Sequence, residues 1–268
     1  MAPGCLLAGL RAGSDVQQFV FSSTMLVHKP GEPGIFITED WPIGPTWAYP
    51  ESKVRTEAII AAERGNVPTV MLRFAGVYDD GCHSPPWPIR YSGSTNASLN
   101  RIFTPAQHRM ARPMSTWTTQ WTRLPAPWNA APVLAAETVI LIGEPDTLSY
   151  DELQHSFMRQ IHDESYEEFS VPGPIAKIGA WVEGNILGQK PFIKPWMIDR
   201  ANDHYALDPS RAKKLLGWVP KHSLRKTIPK MVAALKANPL AFYRENGLEP
   251  TEWMLANAEA AKQQEQRR

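Results

Sequence analysis

Three short apolar runs set the limits on what this chain can fold into. Gln18-Phe-Val-Phe-Ser22, Thr69-Val-Met-Leu-Arg73 and Thr138-Val-Ile-Leu-Ile142 are nearly continuous stretches of β-branched, leucine and aromatic side chains. A strand that is apolar on both faces is covered on both, which is the condition of a parallel sheet sheathed by helices. Helical patterns precede and separate these runs. Gly4 to Gly13 carries Leu6, Leu7 and Leu10 at helical spacing, with Gly13 as its stop. Tyr49 to Arg64 places Val54, Ala58 and Ile59 on one face and ends at Gly65. Strand and helix in alternation predict a parallel α/β sheet.

The remainder of the chain is helical in pattern. Ser149-Tyr-Asp-Glu152 has the form of a capping box ahead of a helix over Leu153 to His162. Asp208-Pro-Ser-Arg places an N-cap and a first-turn proline before a helix over Arg211 to Leu216, which Gly217 ends. Ser223-Leu-Arg-Lys caps one more helix, to about Leu235, and the charged tail Asn257 to Arg268 is expected to fray. No internal repeat occurs.

Composition narrows the class. The 268 residues allow one large α/β domain or two small ones, and a net charge of +1 argues against a nucleic-acid-binding protein. No run of about 18 apolar residues exists, so no membrane span is expected. Met1 to Gly13 lacks the basic head and cleavage site of a secretory signal. Cys5 and Cys82 are too few and too far apart for a disulfide framework or a structural zinc. A cytoplasmic, soluble protein is the expectation.

One segment breaks the pattern. Between Asp80 and Glu137 there is no acidic residue and no lysine, only Arg90, Arg101, Arg109, Arg112 and Arg123. The same segment holds Trp87, Trp117, Trp121 and Trp128, four of the ten tryptophans, and no helical or strand period. Three readings are open: an out-of-frame translation over about Trp87 to Val133 between two compensating indels, a basic insertion that binds something, or a disordered loop. Arginine with tryptophan fits single-stranded nucleic acid, but arginine alone without periodicity weighs against it.

The chemical signal lies in Tyr49-Pro-Glu-Ser-Lys53. Four residues apart on a helix, a phenol and an ammonium lie one above the other. A nearby positive charge stabilises phenolate, which lets a tyrosine act as general acid or base near neutral pH. Ser22-Ser23-Thr24, at the carboxyl end of a predicted strand, can supply a hydroxyl to orient a substrate oxygen. Ligands of open α/β sheets bind outside those strand ends. Taken alone, the pair is as well explained by an exposed aromatic beside a solvated lysine; the strand and hydroxyl cluster give it context.

At these residues the sequence resembles the extended short-chain dehydrogenase/reductase family, the NAD-dependent epimerase/dehydratase group. The resemblance rests on Phe19-Val-Phe-Ser-Ser-Thr24, Tyr49-Pro-Glu-Ser-Lys53, Val70-Met-Leu-Arg-Phe-Ala-Gly-Val-Tyr78, and Ala206-Leu-Asp-Pro-Ser-Arg-Ala-Lys-Lys-Leu-Leu-Gly-Trp218, continued by Val-Pro-Lys-His-Ser-Leu224. It implies a partial Rossmann-like parallel sheet with helices plus a small, mostly helical C-terminal substrate lobe. Residues 1–80 are then the C-terminal part of a Rossmann-like NAD(P)-binding domain, and 81–136 the aberrant segment. Residues 137–250 hold the remaining strand, helices and substrate lobe, and 251–268 the frayed tail.

The resemblance also implies roles. Thr24 or Ser23 is the hydroxyl of a triad, Tyr49 its acid/base and Lys53 the ribose-binding lysine. NAD or NADP is the cofactor, touched by Ser22, Tyr49, Lys53 and the Phe74-Ala75-Gly76 loop. Arg200 and Asp203 stand where related epimerases meet the substrate diphosphate, a task that suits a bidentate arginine. The substrate implied is a nucleotide-sugar, and a homodimer through the helix of Tyr49 and Lys53 follows by the same likeness. Two departures stand out. His28-Lys29 replaces the usual Tyr-Gly and is read as a loop histidine, and no Gly-x-x-Gly-x-x-Gly turn occurs, so the chain reads as N-terminally truncated.

Within residues 81–136 the family would show a motif with two aspartates four apart. Each Trp-Thr junction, TGG followed by ACN, reads GAC from its third base, so Trp117-Thr118 and Trp121-Thr122 encode two aspartates at that spacing. Two functions from different classes follow: an NAD(P)-dependent oxidoreductase or sugar-nucleotide epimerase, or a non-catalytic remnant or binding protein without a dinucleotide site.

Overall fold

The computed structural model describes residues 16–82, 104–105, 114–116, 134, 137–148, 150–162, 170–171, 203–248, 250 and 252–266. In chain order the elements are β1 (Phe19–Thr24), a 3-10 turn (Met25–Val27), β2 (Phe36–Ile37), α1 (Ala48–Glu63), β3 (Thr69–Phe74), β4 (Gly76–Tyr78), β5 (Thr104–Pro105), β6 (Met114–Thr116) and β7 (Glu137–Ile142). There follow α2 (Tyr150–His162), β8 (Ser170–Val171), β9 (Ala206–Leu207), α3 (Ser210–Leu216), α4 (Leu224–Ala237), α5 (Pro239–Glu245) and α6 (Glu252–Gln266). The described residues fall into two compact units. One draws on Met1–Val77, Ala111–Thr147 and Asp203–Ser223, the other on Tyr78–Met110, Leu148–Asn202 and Leu224–Arg268.

The first unit is built on the three apolar runs. They form one parallel sheet in the order β1-β3-β7, with Phe19, Thr69 and Glu137 in register at one end and Thr24, Phe74 and Ile142 at the other. Alternate residues of these strands supply two faces, as the period of two requires. Val70, Leu72, Ile140 and Ile142 pack with Ala212 of α3 and Trp218 on one face. Phe19, Phe21, Met71 and Val139 meet Ile60 of α1 on the other. The sheet is thus a two-sided α/β layer.

Among the described residues β7 is an edge strand of this sheet, and two side chains cover its outer backbone groups. Glu39 accepts from the Leu141 amide at 3.0 Å, and Arg211 approaches the Val139 carbonyl at 3.5 Å. The two are themselves paired, Arg211 Nε to Glu39 Oε2 at 3.3 Å. An edge occupied by charged side chains does not template a further strand. A small parallel ladder, β2 with β9, lies in the same unit.

In the second unit α4 presents Leu224, Ile228, Met231, Val232 and Leu235 inward, a helical stripe interrupted only on its exposed side by Pro229. α5 starts with Asn238 as N-cap, whose side chain accepts from the Ala241 amide at 3.0 Å, and Pro239 as its first residue. Salt bridges Arg225–Glu152 and Lys230–Asp80, both 3.0 Å, are solvent-exposed and worth little.

The boundaries differ from the sequence reading in instructive places. At α3 the N-cap position is Pro209, yet Asp208 still caps from one residue earlier, accepting from the Ser210 amide at 2.9 Å. Gly217 closes that helix in the left-handed conformation, φ 61°. The tail expected to fray from Asn257 is helical to Gln266, with Met254 of α6 buried and α6 packed on α5. The expected helix over Gly4–Gly13 and the capping serine Ser149 lie outside the described residues, as does most of Trp87–Val133.

Candidate active site

α1 carries the tyrosine and lysine that the sequence singled out. Pro50 lies in the first turn, where no helical amide bond is forfeited, and Glu51 places a carboxylate at the positive end of the helix. Arg64 closes the helix by donating its amide to the Ile60 carbonyl, and Gly65 then turns the chain at φ 58°. Tyr49, Lys53 and Glu57, spaced by four, form one stripe along α1.

The stripe lies against the end of β1. Lys53 Nζ donates to the Ser22 carbonyl at 3.0 Å and sits 5.0 Å from the centroid of the Phe21 ring. It also stands 5.9 Å from the centroid of the Tyr49 ring. The ammonium is therefore held beside the phenol by backbone and aromatic contacts together. Tyr49 itself is 51% exposed, so its ring faces solvent on one side.

The three hydroxyls of Ser22-Ser23-Thr24 part company. β1 alternates faces, so Ser23 shares the α1 side with Phe19 and Phe21, while Ser22 and Thr24 share the other with Val20. Ser23 is buried and donates its hydroxyl to Glu57 Oε1 at 2.5 Å. Thr24 is buried at the last position of β1, and its Oγ1 accepts from the Leu26 amide at 3.4 Å as the cap of the 3-10 turn. Its register partner in β3 is Phe74.

Behind the stripe runs a buried polar chain that the sequence did not announce. Arg73, the register partner of Ser23, grips Glu57 with one edge of its guanidinium, Nε to Oε1 at 3.1 Å and Nη2 to Oε2 at 2.6 Å. The pair is 8% and 13% exposed. Arg73 Nη1 reaches His28 Nε2 at 3.0 Å and the Glu39 carbonyl at 3.4 Å. A guanidinium can only donate, so His28 Nε2 accepts, and Nδ1 must carry the proton given to the Trp41 carbonyl at 2.8 Å. Burial, and after it the Arg73 charge, lower the His28 pKa from 6.5 to about 4. His28 lies in the loop after the 3-10 turn, as expected, and there it is a fully buried, neutral link.

Of the remaining candidates, Phe74 is half-buried on the strand cluster. Ala75 is buried and donates its amide to the Ile142 carbonyl at 2.8 Å, and Gly76 opens β4. The structure thus brings Ser22, Thr24, Tyr49, Lys53 and the 74–76 loop to the carboxyl end of one parallel sheet. Asp203 is half-buried next to His204, whose carbonyl accepts from Gly31 at 2.7 Å. Arg200 lies outside the described residues. Glu57, Arg73 and Glu39 were missed; Glu57 had a legible signal, since it continues the spacing of 49 and 53 by one more turn.

No protein-family model and no curated protein matches the chain. Solved structures do match it. UDP-glucuronic acid 4-epimerase from Bacillus cereus, in complex with UDP-glucuronic acid and NAD, shares 18% identity at a TM-score of 0.56, over 88% of this chain and 66% of that one. dTDP-glucose 4,6-dehydratase from Bacillus anthracis, in complex with NAD, shares 17% at a TM-score of 0.60, over 88% and 67%. The Bordetella bronchiseptica enzyme WbmG, in complex with NAD and UDP, shares 19% at 0.60, over 88% and 64%. The chain spans about two thirds of the length of these proteins, and the likeness establishes a shared Rossmann-like fold.

Proposed function

We propose that this chain is an NAD(P)-dependent oxidoreductase or epimerase of the extended short-chain dehydrogenase/reductase type, acting on a hydroxyl or carbonyl of a nucleotide-sugar. One observation carries the reading: Lys53 Nζ, tied to the Ser22 carbonyl at 3.0 Å, stands beside the Tyr49 ring at the carboxyl ends of a parallel sheet. That is where ligands of open α/β sheets bind. The structural neighbours, complexes with NAD and in part with nucleotide-sugars, agree with it and favour NAD.

The residues present suit the nicotinamide end of such a cofactor. An ammonium has three donors, and the Ser22 carbonyl takes one of those on Lys53, so two remain for ribose hydroxyls. The half-exposed Tyr49 and the Phe74-Ala75-Gly76 loop flank the same strand ends. When bound, the cofactor supplies the redox chemistry. Tyr49 Oη holds or releases the proton at the substrate oxygen. The Thr24 hydroxyl, on the opposite face of β1 from Ser23, orients that oxygen. Arg200 and Asp203 are assigned to the substrate diphosphate by the family resemblance.

α1 leaves Ala58, Ile59, Ala61 and Ala62 exposed, which supports a homodimer through this helix. Among the described residues no helix is long and apolar enough to cross a membrane. Titration with NADH, followed by nicotinamide fluorescence, tests the reading. Saturable binding in the micromolar range is expected, weakened at least about tenfold by Lys53→Ala as charge-assisted hydrogen bonds are lost. Absence of binding would favour the non-catalytic alternative.

A further inference from the structure

The face that α1 turns toward β1 carries Lys53 and Glu57 beside one buried apolar side chain, and this bears on what positions the helix. Its apolar anchor is Ile60, packed with Met71, Phe19, Phe21 and Val139; the polar contacts along the stripe are those of Lys53 and Glu57. Glu57 bridges two adjacent strands through polar contacts: its carboxylate takes the hydroxyl of Ser23 in β1 and the guanidinium of Arg73 in β3, residues that are register partners. Arg73 cannot swing away, because its other edge is held by His28 Nε2 and the Glu39 carbonyl.

From this geometry, and resting on the function proposed above, we infer that Glu57 is a positioning residue: the Ser23–Glu57–Arg73 clamp fixes the rotation of α1 that brings Lys53 to the Ser22 carbonyl and beside Tyr49. The two contacts are adjacent on both partners, Ser22 and Ser23 on the strand and one helical turn apart on α1. Rotation that released Glu57 would carry Lys53 off the strand end with it. Ser23 therefore serves the helix, and the hydroxyl available to substrate is that of Thr24. A buried bidentate pair is suited to this because it specifies orientation as well as contact.

A double-mutant cycle on NADH affinity in the full chain tests the inference. Glu57→Gln is expected to weaken NADH about tenfold, yet less than about twofold when Lys53→Ala is already present, since a residue acting through Lys53 loses its effect without it. Ile60→Val is the control: it lowers the melting temperature and leaves NADH affinity unchanged. Should Glu57→Gln not fold, Ser23→Ala removes one hydroxyl from the clamp and is expected to weaken NADH several-fold, again only while Lys53 is present. Additive losses, or unaltered affinity in Ser23→Ala and Glu57→Gln, overturn the clamp and leave the proposed function standing. A wild-type chain that does not bind NADH overturns both.

Discussion

His28 is buried with both ring nitrogens engaged, and burial, with the Arg73 charge after it, keeps the ring neutral. Its pKa is lowered from 6.5 to about 4, so between these values the unfolded chain binds a proton that the native one does not. Stability therefore rises with pH across that window: the contribution is full above about 6.5 and is lost as pH falls toward 4, on the order of 3 kcal/mol. His28→Asn keeps a donor for the Trp41 carbonyl but cannot titrate. Urea unfolding at about pH 7 and about pH 4.5 should show the loss on acidification reduced by about 2 kcal/mol in the variant. An identical pH dependence in both proteins would contradict the buried neutral histidine. At this scale the sequence was only partly legible. Tyr49 and Lys53 are four apart in sequence, and helical geometry alone brings them together. Ser23 meets Arg73 across a strand pairing, and His28 meets Arg73 at a separation of 45 residues, contacts that no local pattern encodes. The faces of Ser23 and Thr24 differ with the phase of β1, which the sequence run alone did not set.

α1 shows where periodicity misleads. Val54, Ala58 and Ile59 share a face by sequence, but Ala58 and Ile59 are exposed, and Ile60 is the buried anchor. The reason is physical: the sheet-facing stripe carries Lys53 and Glu57, so polarity no longer marks the solvent side. Ile60→Ala should cost about 2–5 kcal/mol in urea unfolding, as expected where a buried isoleucine leaves a cavity. Ile59→Ala, at a position 38% exposed, should change stability by less than about 0.5 kcal/mol. Equal effects would mean that the helix is rotated from the orientation described. The strands were more legible. All three apolar runs are strands within two residues of their expected ends, because continuous burial on both faces leaves a plain signature. Helix α6, by contrast, owes its place to Met254 and the neighbouring α5, which the charged composition of the tail concealed.

For the molecule as a whole, alternation of apolar strands and helices was sufficient to give a parallel α/β sheet, and that sheet is present. The tie that covers its free edge was not legible: Glu39 and Arg211 lie 172 positions apart and meet only because β2 and β9 pair and α3 follows β9 directly. The fold places a phenol, an ammonium and a threonine hydroxyl at the strand ends, and the function we propose rests on what those groups would do to a proton. Comparing wild type with Tyr49→Phe in NAD-dependent conversion of UDP- and dTDP-hexoses, with products resolved by chromatography, tests this most directly. Loss of about 100-fold or more in the variant, with NADH affinity retained, is the predicted result, since a positioned general acid or base contributes roughly 10²–10⁴-fold. No conversion by the wild type, or equal rates in the two proteins, would contradict it.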